Sequence, residues 1–109
     1  AETPPAQVDK MFDINVKAAF LLTQEALPHI LASTKKPSIL FVSSTSGYNP
    51  SKGIGIYGVT KSAILGLTKA LATELGYKGV RVNAIAPAVI KTRFSEAIQN
   101  LPSSTDNPL

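Results

Sequence analysis

Two short apolar runs, Ser38-Ile39-Leu40-Phe41-Val42-Ser43 and Val80-Arg81-Val82-Asn83-Ala84-Ile85-Ala86, flank a helical stretch from about Gly55 to Tyr77. That order constrains the fold more than any other feature. A strand that reaches its neighbour through a helix has returned in the same direction, so the two strands pair in parallel through a right-handed crossover. A continuous apolar run reads as a buried parallel strand. The class is therefore α/β. Two strands leave both sheet edges open, so the pattern is expected to be part of a larger sheet.

Before the first strand, Thr3-Pro4-Pro5 reads as a helix start, with Thr3 as cap and Pro4 in the first turn, where a missing N–H is harmless. The helix is expected to run to about Leu31, with Met11, Ile14, Ala18, Leu21, Leu22, Ala26 and Ile30 as its inward stripe. Pro28 removes the bond to the Gln24 carbonyl, and a kink or tightening is expected there. Ser43 to Lys52 carries turn-forming residues and reads as a loop at a strand end, where ligands sit in open parallel sheets. In the second helix Ile64, Leu67, Leu71 and Leu75 form a large apolar stripe, beside a small stripe of Ala63, Gly66 and Ala70 suited to close approach by another helix. Gly76-Tyr77-Lys78-Gly79 supplies glycine for a left-handed cap. Glycine within that helix, as at Gly58, is expected to weaken it by up to about 1 kcal/mol.

Composition excludes several functions. The 109 residues allow one small domain, and the apolar content of 44% is mostly aliphatic, with 6% aromatic and a mean hydropathy of +0.13. With no cysteine and a single histidine, His29, neither a disulfide nor a thiolate metal site can form, and no metal site is expected. No apolar stretch approaches the ~20 residues of a membrane span, and nothing resembles a signal peptide. The start at Ala1 suggests a fragment or processed product, and Asn107-Pro108-Leu109 is no retention or peroxisomal tripeptide. Cytoplasmic and peroxisomal locations both stay open. The net charge of +4 is concentrated from Lys52 to Arg93, where seven basic residues face Glu74 alone. These charges are scattered, without an Arg-rich run or interleaved aromatics, so an anionic small ligand is expected rather than a nucleic acid.

Tyr57 and Lys61 carry the chemistry. Four apart on a helix, they stack on one face a turn apart. An ammonium beside a phenol favours the phenolate, which turns a tyrosine into a proton donor and acceptor near working pH. Four further motifs surround the pair: Asp13-Ile14-Asn15-Val16-Lys17, Phe41-Val42-Ser43-Ser44, Val80-Arg81-Val82-Asn83-Ala84 and Pro87-Ala88-Val89-Ile90-Lys91-Thr92. A lone Tyr-x-x-x-Lys is weak. Five motifs in this order resemble the short-chain dehydrogenase/reductase family over about residues 8–96.

The resemblance implies a partial Rossmann-like, doubly wound parallel sheet, with residues 1–100 as the catalytic half; residues 101–109, with two prolines and several small polar residues, are expected to be a disordered tail. It implies hydride transfer between a nicotinamide cofactor and a small carbonyl or alcohol substrate. Tyr57 would be the general acid/base, Ser44 would hydrogen-bond the substrate oxygen, Lys61 would support the phenolate and hold the nicotinamide ribose, and Asn15 would hold a water linking Lys61 to solvent. Pro87, Ala88, Ile90 and Thr92 would face the cofactor; Ala88 stands where the family pattern has glycine, a substitution costing about 1 kcal/mol or more if the position needs positive φ. Within the family the motifs look most like NADP(H)-dependent carbonyl and retinal reductases, favouring NADP(H) over NAD(H). The family's glycine-rich phosphate turn does not occur in these residues. The resemblance also implies a homo-oligomer through the two long helices. A non-catalytic chain that acts only by docking those helices onto other subunits is the alternative.

Overall fold

The computed structural model describes residues 1–93, 95 and 96; the expected tail at 101–109 lies outside them. Among these residues the element order is helix, strand, helix, strand. Helix α1 spans Pro5–Phe12, α2 Ala18–Ala32, strand β1 Ser38–Val42, α3 Gly55–Leu75 and β2 Arg81–Ile85. The strands pair in parallel, with Ile39 opposite Val82 and Phe41 opposite Ala84, as the crossover predicts.

The core lies between one sheet face and α3. Phe41, Ile64, Leu71, Leu75, Val80 and Val82 form its buried cluster among the described residues, with Ile39, Leu67 and Ala84 packed against it. The large apolar stripe of α3 thus seats on the sheet as expected. The strands, however, are covered on one face only: Leu40, Val42 and Ile85 are 59, 54 and 49% exposed. Alternation along a strand sends neighbouring side chains to opposite faces, and α3 covers only one of them.

The end of α3 follows from its glycines. After a 3-10 turn at Gly76–Lys78, Gly79 adopts φ 82°, and the Gly79 and Val80 amides donate to the Gly76 and Leu75 carbonyls. Those paired bonds make a Schellman motif, and its apolar contact joins the buried Val80 and Leu75.

The first helix departs from expectation in three ways. Pro4, not Thr3, occupies the cap position, with no side-chain cap, and its carbonyl accepts the Gln7 and Val8 amides. The helix runs through Pro28 to Ala32, in line with the expected span, but Asp13–Lys17 forms a π-helical turn between α1 and α2 that the sequence pattern does not predict. The inward stripe is also displaced. Ile14, Leu21 and Leu22 are 60, 45 and 71% exposed, while Thr23 is buried and Ala19 and Leu27 pack against the core; of the expected stripe, Ile30 does pack there. A wider turn shifts the phase of the positions that follow it, so a straight 3.6-residue period misplaces Leu21 and Leu22. On α3 the small stripe at Gly66 and Ala70 is exposed.

Candidate active site

The site lies beyond the carboxyl ends of both strands, where their following loops meet the start of α3. Backbone bonds lace these loops together: the Ser43 amide donates to the Ile85 carbonyl at 2.7 Å and the Thr45 amide to the Pro87 carbonyl at 3.1 Å. They continue the ladder beyond the strands, so Ser44 and Pro87 are positioned by the sheet itself. A cavity of about 370 Å³ opens there. All eight residues singled out from the sequence line it: Asn15, Ser44, Tyr57, Lys61, Pro87, Ala88, Ile90 and Thr92. The two strand-end loops, α3 and the π turn each contribute.

Two adjacent serines have different environments. Ser43 is 2% exposed, and its hydroxyl donates to the Lys61 carbonyl at 2.8 Å, tying the end of β1 to α3. Ser44 starts the 3-10 turn Thr45–Gly47, its Oγ accepting the Ser46 amide at 3.1 Å. An oxygen engaged as acceptor keeps its own O–H proton for donation. Ser44 can therefore offer that proton to an oxygen in the cavity.

Tyr57 and Lys61 stand one turn apart on α3, the ammonium 5.6 Å from the ring centroid. Lys61 Nζ also donates to the Val42 carbonyl at 3.1 Å, which draws it toward the end of β1. Partial burial lowers the Lys61 pKa below the ordinary 10.5. Close approach between the loop and α3 depends on two glycines. A Cβ on Gly47 would lie 3.0 Å from the Lys61 carbonyl, and one on Gly58 only 2.7 Å from the Ser46 carbonyl oxygen. Gly58 is thus a packing requirement, beyond the helix-weakening residue its propensity suggests.

Asn15 sits in the π turn and donates from Nδ2 to Thr60 Oγ1 at 3.0 Å. Extra-wide turns of this kind often occur at functional sites. Thr60 is wholly buried, and its hydroxyl in turn donates to the Tyr57 carbonyl at 2.7 Å.

The segment after β2 forms the remaining wall. Lys36 alone among the described non-glycine residues has positive φ, so Ala88 carries no left-handed strain and the expected penalty does not arise. Ser95, 4% exposed, closes this wall: its Oγ accepts the Thr92 amide and donates to the Ile90 carbonyl, while Thr92 Oγ1 accepts the Ser95 amide. Thr92-x-x-Ser95 is a reciprocal capping arrangement, with serine where the usual sequence signature has Glu or Gln. Thr60 was missed, since a threonine inside an amphipathic helix gives no local signal of a partner 45 residues away.

The residues present suit the nicotinamide end of a dinucleotide. An ammonium, two hydroxyls and a carboxamide converge on a cavity with apolar walls at Val42, Ile54 and Ile90, a composition typical of small-ligand sites.

Comparison with known proteins identifies the family. The model of the short chain dehydrogenase family matches residues 1–102. Dehydrogenase/reductase SDR family member 4 of Bos taurus is 42% identical over 106 residues, covering 97% of this chain and 38% of that protein. The crystal structure of a 3-ketoacyl-(acyl-carrier-protein) reductase from Brucella melitensis, complexed with NADH, superposes with a TM-score of 0.80 at 32% identity over 84% of this chain and 39% of that one. ElxO with NADP bound superposes with a TM-score of 0.79 at 34% identity, over 85% of this chain and 37% of ElxO. The chain spans little more than a third of the length of the relatives it matches. Its two parallel strands and helices are a portion of the Rossmann fold, and the chain belongs to the short-chain dehydrogenase family of oxidoreductases, resembling its SDR family member 4 branch.

Proposed function

We propose that this chain carries the proton-transfer half of a nicotinamide-dependent interconversion of carbonyl and alcohol. The observation that carries the reading is the convergence of Ser44, Tyr57, Lys61 and Asn15 on one cavity from the loop after β1, α3 and the π turn. A bound nicotinamide supplies the hydride to the carbonyl carbon in reduction and accepts it in oxidation. Tyr57 gives its phenolic proton to the substrate oxygen in reduction, and its phenolate takes that proton back in oxidation. Ser44 donates its free O–H proton to the same oxygen as negative charge develops. Lys61 stabilises the phenolate and binds the nicotinamide ribose hydroxyls, with Pro87, Ala88, Ile90 and Thr92 lining the cofactor's side of the cavity. Asn15 holds a water that connects Lys61 to solvent.

One solved relative holds NADH and another NADP. We propose NADP(H) rather than NAD(H) as the cofactor here, on the look of the sequence motifs. Titration with NADPH and NADH, followed by nicotinamide fluorescence and carbonyl-dependent oxidation, tests the proposal. Tyr57→Phe should lower turnover by roughly 10²- to 10⁴-fold while leaving cofactor binding in place. Full turnover in that variant, or no binding at millimolar cofactor, would refute an autonomous catalytic role.

A second reading rests on Ile14, Leu21, Leu22 and Leu31, exposed along the π turn and α2, with Val59 exposed on α3. Docking through the long helices would make the chain an interaction partner for further subunits or copies of itself. Sedimentation that stays monomeric at all concentrations, together with cofactor binding, would leave the catalytic reading alone.

A further inference from the structure

We infer that Ser43 is a positioning residue that sets where the Lys61 ammonium stands in the site, a role resting on the proposed function of Lys61. Two consecutive residues at the end of β1 hold this one lysine at both of its ends. The Ser43 hydroxyl donates to the Lys61 main-chain carbonyl at 2.8 Å, and Lys61 Nζ donates to the Val42 carbonyl at 3.1 Å. A lysine head is a point charge on a flexible four-carbon stem, so its position is set by what it is fastened to. Tying the backbone of Lys61 to residue 43 fixes the span its side chain must bridge to reach the carbonyl of residue 42.

Ser43 is itself firmly held. Its amide donates to the Ile85 carbonyl at 2.7 Å, and at 2% exposure water cannot stand in for its hydroxyl. Gly47 closes the junction from a third side: a Cβ there would lie 3.0 Å from the carbonyl carbon and oxygen of Lys61 and 3.1 Å from Ser43 Oγ. Hydroxyl, carbonyl and glycine therefore meet with little room for a further methyl group. With its single proton given to the Lys61 carbonyl, Ser43 has none to offer a substrate oxygen, and it acts through the lysine.

Ser43→Ala removes the hydroxyl, whereas Gly47→Ala keeps it and crowds the bond. Both should release the ammonium toward water, so the Lys61 midpoint in a ¹³Cε NMR titration of this chain should rise toward 10.5. Leu75→Ala, which destabilises α3 from its far, buried end, should leave the midpoint at the wild-type value. An unmoved midpoint in either Ser43→Ala or Gly47→Ala, or an equal rise in Leu75→Ala, overturns the positioning role. In carbonyl reduction with NADPH, Ser43→Ala should lower kcat about five- to tenfold with KM for the carbonyl little changed, the scale of one buried hydrogen bond. Added to Lys61→Met, the same substitution should cost less than about twofold more, because both act through one ammonium. An equal loss in both backgrounds overturns the positioning role and leaves the proposed function standing. Wild-type turnover in Lys61→Met overturns the proposed function of Lys61 and the positioning role with it.

Discussion

At the residue scale, the site depends on what each polar atom is already committed to. Ser43 and Ser44 are adjacent and chemically identical, yet one hydroxyl is spent on the Lys61 carbonyl and the other keeps its proton for the cavity. Lys61 has a similar double commitment, to the Val42 carbonyl and to the ring of Tyr57. Burial lowers its pKa below 10.5, so the folded chain releases this proton at lower pH than the unfolded chain. Between the folded pKa and 10.5 the unfolded state binds more protons, and stability gains a positive slope with pH. A ¹³Cε NMR titration of Lys61 should therefore show a midpoint below 10.5, and Lys61→Met should remove that contribution to the slope. A midpoint at or above 10.5 would contradict partial burial of the ammonium.

At the element scale, α3 serves the sheet with one face and the site with its first turns. Its buried Ile64, Leu71 and Leu75 hold it on the strands, while Gly58 lets the loop after β1 lie against it. The two mid-helix glycines should consequently respond in opposite directions to the same substitution. A Cβ on Gly58 meets the backbone oxygen of Ser46 at 2.7 Å, whereas one on Gly66 meets nothing within 4 Å. Gly66→Ala should stabilise the chain by about 0.5–1 kcal/mol through helix propensity. Gly58→Ala gains the same propensity but overpacks against backbone, for a net loss of about 1–2 kcal/mol. Urea midpoints of the two variants check this, and equal shifts of the same sign would contradict the loop packing. The first helix shows the same distinction between local preference and contact. Its strongest apolar residues, Ile14, Leu21 and Leu22, point outward, while Asn15 and Thr23 take inward positions that pattern reading reserves for apolar side chains.

At the scale of the whole molecule, one small core joins both strands, α3 and the flank of α2. Ile64 is 2% exposed within it, and Ile64→Ala should cost about 2–5 kcal/mol, a large share of the ~5–15 kcal/mol that stabilises an ordinary domain. Thermal unfolding by circular dichroism should show a fall in Tm of at least about 10 °C. An unchanged Tm would contradict the packing of α3 on the sheet. The opposite sheet face leaves Leu40, Val42 and Ile85 exposed, consistent with a chain matching little more than a third of its relatives' length. Much of this organisation was legible beforehand. Strand order, parallel pairing, the αL glycine cap and the large stripe of α3 follow from short-range periodicity and turn chemistry, which act within a few residues. The five ordered motifs likewise identified the family and all eight cavity-lining candidates. Tertiary structure alone decided the π turn at Asn15, the inward face of the first helix, the division of labour between Ser43 and Ser44, the need for Gly58 and the Asn15–Thr60 bond. The Ser43–Lys61 and Asn15–Thr60 bonds and the packing of Gly58 on Ser46 join residues from different elements, where burial and the direction of a single proton outweigh local propensity.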